Sequence, residues 1–176
     1  MYEVELKLRA DHAALEPRLA ERGDRIGTVE QVDTYYDAPD RDFAETDEAL
    51  RLRRETAEEG ETVRLTYKGP LVEEASKTRR EHETAVGDAG AAAAILESLG
   101  FSPAATVEKE RTRYAVGAYT VTLDRVAGLG EFLEIEREAE DVAPAREGAY
   151  DLCRDLGLDP DDQIRASYLS MLLADE

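Results

Sequence analysis

The chain has 176 residues, 41 acidic against 22 basic, and a net charge of −19. It is long enough to bury a core as one domain over 1–176, and too acidic for general binding to nucleic acid or an anionic membrane. Its one cysteine, Cys153, excludes a disulfide framework and a thiolate zinc cluster, and its helical setting predicts a small buried hydrophobe.

Lysine is confined to Lys7, Lys68, Lys77 and Lys109 while arginine is plentiful. This acidic, lysine-poor composition resembles that of halophilic proteins, for which molar salt shortens the Debye length to about 3 Å and weakens repulsion of an anionic substrate. No basic, then apolar, leader opens the chain, and no stretch approaches the ~18 apolar residues of a membrane span. A cytoplasmic location without a membrane partner is expected.

Glu3, Glu5 and Lys7 alternate with Val4, Leu6 and Leu8, which predicts a strand with two carboxylates about 7 Å apart on one face. Asp11 then caps a helix over about 12–22 that Gly23 stops. The β-branched and aromatic run 26–37 reads as a strand with Gln31, Asp33 and Tyr35 on one face. An acidic loop at 41–48 leads to a strand at 49–55 presenting Arg51 and Arg53, and Glu58-Glu59-Gly60 turns into another at 61–68 presenting Arg64, Thr66 and Lys68. Residues 71–77 read as a mobile loop, followed by a charged strand at 78–86 with Arg79, Glu81 and Glu83 in register. An alanine-rich helix spans about 88–99. Strands follow at 106–116, with Lys109, Arg111 and Arg113 together; at 119–126, with Thr120, Thr122 and Asp124; and at 131–138, with Glu134 and Glu136. Helices at 144–156 and 162–174 close the chain, the last with Ile164, Tyr168, Met171 and Leu172 as its apolar stripe.

Eight strands joined mainly by short turns predict an α+β fold built on a closed antiparallel barrel, with helices outside. Periodicity leaves one question open. The charged faces either look at solvent around an apolar interior or line a polar tunnel beneath helices, and the period is the same in both. A tunnel would gather Lys7, Arg51, Arg53, Lys68, Arg79, Lys109 and Arg111, enough to hold a triphosphate. Glu3, Glu5, Glu134 and Glu136 would then offer oxygen ligands to Mg²⁺ or Mn²⁺.

Seven elements in order carry a resemblance: Glu3-x-Glu5-x-Lys7, Gln31-x-Asp33-x-Tyr35-Tyr36-Asp37, Leu50-Arg51-Leu52-Arg53, Thr66-Tyr67-Lys68-Gly69-Pro70, Arg79-x-Glu81-x-Glu83, Lys109-x-Arg111 and Glu134-x-Glu136. Together they resemble the CYTH family of triphosphate tunnel metalloenzymes, which includes class IV adenylate cyclases and thiamine triphosphatases. The resemblance implies that the charges face a lumen. It implies metal ligation by Glu3, Glu5, Glu134 and Glu136, and phosphate binding by Lys7, Arg51, Arg53, Lys68, Lys109 and Arg111, with Lys7, Lys68 and Arg111 in catalytic roles. Arg79, Glu81, Glu83 and Asp124 are expected to orient these groups or to contact a second metal. Tyr35 and Tyr36 are candidates to line the tunnel mouth, but core packing of one and barrel covering by the other is the expectation. His12 and His82 match no family position and are expected at the surface.

The class IV branch implies conversion of ATP to cyclic AMP and pyrophosphate. A hydrolase acting on tripolyphosphate, thiamine triphosphate or a nucleotide would use the same clamp, although the absence of tryptophan removes an indole platform for a thiazolium ring. A non-catalytic polyphosphate or nucleotide binder would not need four metal-ligand candidates. Homodimers are common in the family and are allowed here.

Overall fold

A computed structural model describes residues 1–174, which form eight strands and five helices. The strands are β1 (Tyr2–Arg9), β2 (Asp24–Asp37), β3 (Ala49–Ala57), β4 (Gly60–Lys68), β5 (Lys77–Ala85), β6 (Ser102–Val116), β7 (Tyr119–Val126) and β8 (Gly130–Ala139). All pairings are antiparallel, and the order β1-β5-β4-β3-β2-β6-β7-β8 closes because β8 pairs back onto β1. The predicted barrel is therefore the observed one.

Helices α1 (His12–Arg22), α3 (Ala89–Ser98) and α4 (Val142–Asp155) lie outside, with a single turn, α2 (Phe43–Thr46), at one rim. They cover the apolar strand faces. Leu6, Leu8, Val121, Leu123, Leu133 and Ile135 pack beneath Leu15 and Leu19 of α1 and beneath Ala149 and Cys153 of α4. Tyr36 and Leu52 pack beneath Leu96 of α3. With the apolar faces buried this way, period-two alternation obliges the charged faces to point into the lumen. At the junction of α1 and β2, Gly23 passes so close to the Ala115 carbonyl that no Cβ fits there.

Three predicted features are corrected. The predicted helix at 162–174 is a 3₁₀ turn at Pro160–Asp162, an irregular strap over 163–167, and α5 (Tyr168–Ala174). The strap spends its backbone groups on β1 rather than on a helix ladder: Ile164 N–H donates to the Lys7 carbonyl at 2.6 Å, and the Ala166 carbonyl accepts from Lys7 Nζ at 3.0 Å. The expected mobile loop at 71–77 is tied down, since Tyr150 Oη and Gln163 Nε2 both donate to the Ala75 carbonyl and Arg146 pairs with Glu73 at 2.7 Å. Its last residue, Lys77, already belongs to β5. His12 is buried rather than exposed, with Nε2 2.9 Å from the Phe132 carbonyl and Nδ1 3.5 Å from Glu131. His82 is exposed, as expected.

A charged lumen as the candidate active site

The lumen is a cavity of about 800 Å³ that Glu3, Glu5, Lys7, Arg51, Arg53, Lys68, Arg79, Glu81, Glu83, Lys109, Arg111, Glu134 and Glu136 all help to line. That size lies within the usual range for small-molecule sites. Most of its cations are paired with carboxylates, and strand register decides which pairs form.

On β1 and β8, Glu5 stands opposite Glu136 while Lys7 stands opposite Glu134. Two acidic residues with the same spacing thus acquire different neighbours. Glu3, Glu5 and Glu136 bring one carboxylate oxygen each within 4.8 Å of one another. Glu134 is not in that group; it accepts from Arg111 at 3.2 Å and lies 3.9 Å from Lys7. The predicted four-acid set therefore divides into a trio and a salt-bridging member.

The trio is electrostatically crowded. Burial and the nearby Glu3 carboxylate push Glu136 up to about 7. Burial and a hydrogen bond with Glu3 push Glu81 up to about 8. Burial also opposes ionisation of Glu3, but the Lys68 ammonium 3.0 Å away overrides it and holds the carboxyl well below its ordinary range. Lys68 is shared with Glu81 at 3.5 Å. Glu5 is treated alike by Lys77 at 3.5 Å, yet among the described residues its Oε1 makes no hydrogen bond, and neither does Glu81 Oε2. Buried carboxylate oxygens left unbonded, beside acids that resist ionisation, fit a hard divalent cation with oxygen ligands.

Deeper in the lumen the cations are locked by acids. Asp33 grips Arg53 with two bonds of 2.7 and 2.8 Å and also meets Lys109 at 3.4 Å. Asp124 grips Arg111 twice at 2.7 Å and accepts from Tyr168 Oη at 2.8 Å. The Tyr168 ring lies 4.0 Å from Lys7 Nζ and 5.1 Å from Lys109 Nζ. Burial, then the adjacent Arg111 and Arg53, push Lys109 down to about 7; burial and Lys77 push Lys7 well below its ordinary range. Arg79 is held at the rim by the Asp47 and Gly69 carbonyls, at 2.7 and 2.8 Å. Glu83 accepts from Thr66 at 2.9 Å and from Arg64 at 3.0 Å. Tyr36 is the buried tyrosine of its pair, as expected, but Tyr35 does not simply cover the barrel: both residues line the cavity.

Lys77, Asp33, Tyr168 and Arg165 also belong to this region, and the sequence does not single them out as site residues. Lys77 has a signal, being the fourth lysine in a chain that avoids lysine. Asp33 shares a predicted face with Gln31 and Tyr35. Nothing local marks Tyr168 or Arg165.

A testable consequence concerns pH. Glu136 keeps its proton in the fold up to about 7 but loses it near 4.5 when unfolded. The folded state thus binds more protons between these values, and metal-free stability falls as pH rises through them, on the order of 3 kcal/mol in all. Glu81 extends the fall toward pH 8, whereas Lys109, neutral in the fold above about 7, contributes the opposite slope from there upward. Melting in chelator should therefore worsen from pH 5 to 7, with the slope reduced in Glu136→Gln and opposed by added Mg²⁺; an unchanged slope in that variant would contradict the assignment.

The barrel, its inward charges and its acid trio define a tunnel protein, and a CYTH domain model matches residues 1–168. The chain belongs to the CYTH family. It is 34% identical, over 97% of its length and 98% of the relative's, to MJ0240 of Methanocaldococcus jannaschii, provisionally named an adenylate cyclase. It is 30% identical to the adenylate cyclase CyaB of Aeromonas hydrophila over 89% of this chain and 81% of that one. Among solved structures, PH1819 of Pyrococcus horikoshii superposes with a TM-score of 0.93 at 38% identity, covering 99% of both chains.

Proposed function

We propose that this chain is a divalent-metal-dependent enzyme that converts ATP to cyclic AMP and pyrophosphate. What carries the reading is the juxtaposition, within one lumen, of the Glu3, Glu5 and Glu136 trio with the cations Lys7, Arg51, Arg53, Lys68, Lys109 and Arg111. The names of two relatives that match over most of their length support the cyclase choice. A bound Mg²⁺ or Mn²⁺ would be held by the trio and would supply charge neutralisation at phosphate oxygens.

The remaining work falls to side chains. Arg53 and Arg111 are fixed by two-pronged carboxylate contacts, so each offers its outstanding N–H groups to phosphate oxygens without reorganising. Lys68 and Lys77 each share an acid of the trio and its rim, and can turn toward an incoming polyanion. In the reaction the ribose 3′-oxygen bonds to the α-phosphorus, the bond from that phosphorus to the bridging oxygen breaks, and pyrophosphate departs. Burial beside Arg111 and Arg53 pushes Lys109 down to about 7, which makes its Nζ the lumen amine best suited to take the proton released by the hydroxyl.

The test is product identity. Purified protein in high salt with Mg²⁺ or Mn²⁺ should yield cyclic AMP and pyrophosphate from ATP. Orthophosphate from tripolyphosphate, with no cyclic AMP from ATP, would replace this reading by the hydrolase one.

A further inference from the structure

Nearly every cation of the lumen is already matched to a carboxylate. Lys7, Arg51, Arg53, Arg64, Lys68, Lys77, Arg79, Lys109, Arg111 and Arg113 each have one within 4.0 Å. Arg137 has none among the described residues but stacks on the Tyr119 ring at 5.7 Å. Arg165 differs from all of them. It lines the lumen, forms no ion pair among the described residues, and donates one hydrogen bond, from Nη2 to the Glu73 carbonyl at 2.9 Å. Its Nε, like that of Arg51, is buried with no hydrogen-bond partner among the described residues.

A guanidinium has five N–H donors, and leaving a buried one unpaired is costly unless something else meets it. The placement of Arg165 is not accidental wandering of a long side chain. It sits on the 163–167 strap, whose neighbours Ile164 and Ala166 bond to the backbone and ammonium of Lys7 at 2.6 and 3.0 Å, and three residues later Tyr168 lies under Lys7 and Lys109. The Glu73 carbonyl that orients the guanidinium belongs to the loop anchored by Arg146 and Tyr150. Two segments distant in sequence thus meet to aim into the lumen one cation that has no carboxylate partner among the described residues.

We propose that Arg165 is a substrate-contacting residue of this site, donating to an oxygen of the phosphate that lies against Lys7. The inference rests on the triphosphate reading above and adds to it a contact from outside the barrel strands. It makes the C-terminal strap part of the binding surface.

Calorimetric titration of tripolyphosphate with Mg²⁺ present tests it on the parent, Arg165→Gln and Arg165→Lys. Gln retains a donor for the Glu73 carbonyl but no charge, whereas Lys retains the charge. The expected result is a ten- to hundredfold weaker Kd for R165Q, a smaller loss for R165K, and ligand-free melting temperatures close to the parent's. Parent-like binding by R165Q, within twofold, would overturn the proposal alone. Equal losses in both variants together with depressed ligand-free melting would also overturn it, by assigning the effect to a displaced strap. No tripolyphosphate binding by the parent would overturn the triphosphate reading, and this proposal with it.

Discussion

Replacing Glu5 by Gln should lower metal-dependent turnover by about three orders of magnitude or more, equivalent to ~4 kcal/mol of transition-state stabilisation. Glu5 is the trio member at the centre of the network: it faces Glu136 across β1 and β8, faces Lys77 across β1 and β5, and is only 4% exposed. The amide has the same shape but cannot offer a charged ligand oxygen, so the trio loses one of its negative charges. Stability should change much less. Losing the charge leaves Lys77 without its acid, but it also relieves repulsion of Glu3 and Glu134. Three measurements check this together: product formation, the Mg²⁺-induced rise in Tm, and the chelator Tm. The first two should collapse while the third stays within a few degrees, and turnover persisting near the parental rate would remove Glu5 from the metal site.

Why the trio is partly legible in the sequence, and the rest of the site less so, follows from the geometry of strands. Alternation in Glu3-Val4-Glu5-Leu6-Lys7 identifies two faces but not which is inside. The barrel decides that by burying Leu6, Leu133 and Ile135 under α1 and α4, which sends Glu3, Glu5 and Lys7 inward. Pairing is harder to read, because neighbours are set by register between strands far apart in sequence. Glu134 and Glu136 look equivalent in the chain, yet one meets Lys7 and the other meets Glu5. Lys77 is hidden because the residues before it, Leu71 to Ser76, show no alternation, so nothing marks where the strand begins within its polar loop.

The end of the chain misleads for a related reason. Ile164, Tyr168, Met171 and Leu172 have helical spacing, and an apolar stripe at that period normally means a helix packed on a sheet. Here Tyr168 does join an apolar cluster, with Val107, Val126 and Phe132, but its hydroxyl reaches Asp124 and its ring meets two lysines. An aromatic ring serves as both a core element and a platform for cations, so composition cannot separate the two uses. His12 shows the same limit in reverse. A histidine on the first turn of a surface helix would ordinarily be solvated, and here the Phe132 carbonyl and the Glu131 carboxylate give its two nitrogens buried polar contacts.

Asp33→Ala should cost about 3–5 kcal/mol of stability, because it leaves buried Arg53 and Lys109 without the acid they share. Asp33 is fully buried, bonds Arg53 at 2.7 and 2.8 Å, and lies 3.4 Å from Lys109. Burial alone would raise its pKa, but the Arg53 hydrogen bonds and the charge of Lys109 hold the carboxyl far below its ordinary value near 3.8. Its contribution is therefore present above that pH and is lost only as pH falls below it. Without the carboxylate, Lys109 should shed its proton even more readily, while Arg53, which cannot, keeps an uncompensated charge. A polyanion is the natural replacement for that missing charge. Saturating tripolyphosphate should thus raise the unfolding free energy of the variant by more than it raises that of the parent, even though the clamp is less well ordered. Urea titrations with and without tripolyphosphate at pH 7 measure both effects. A destabilisation under about 1 kcal/mol, or an equal ligand response in the two proteins, would mean that Asp33 does not hold Arg53 and Lys109 for the substrate.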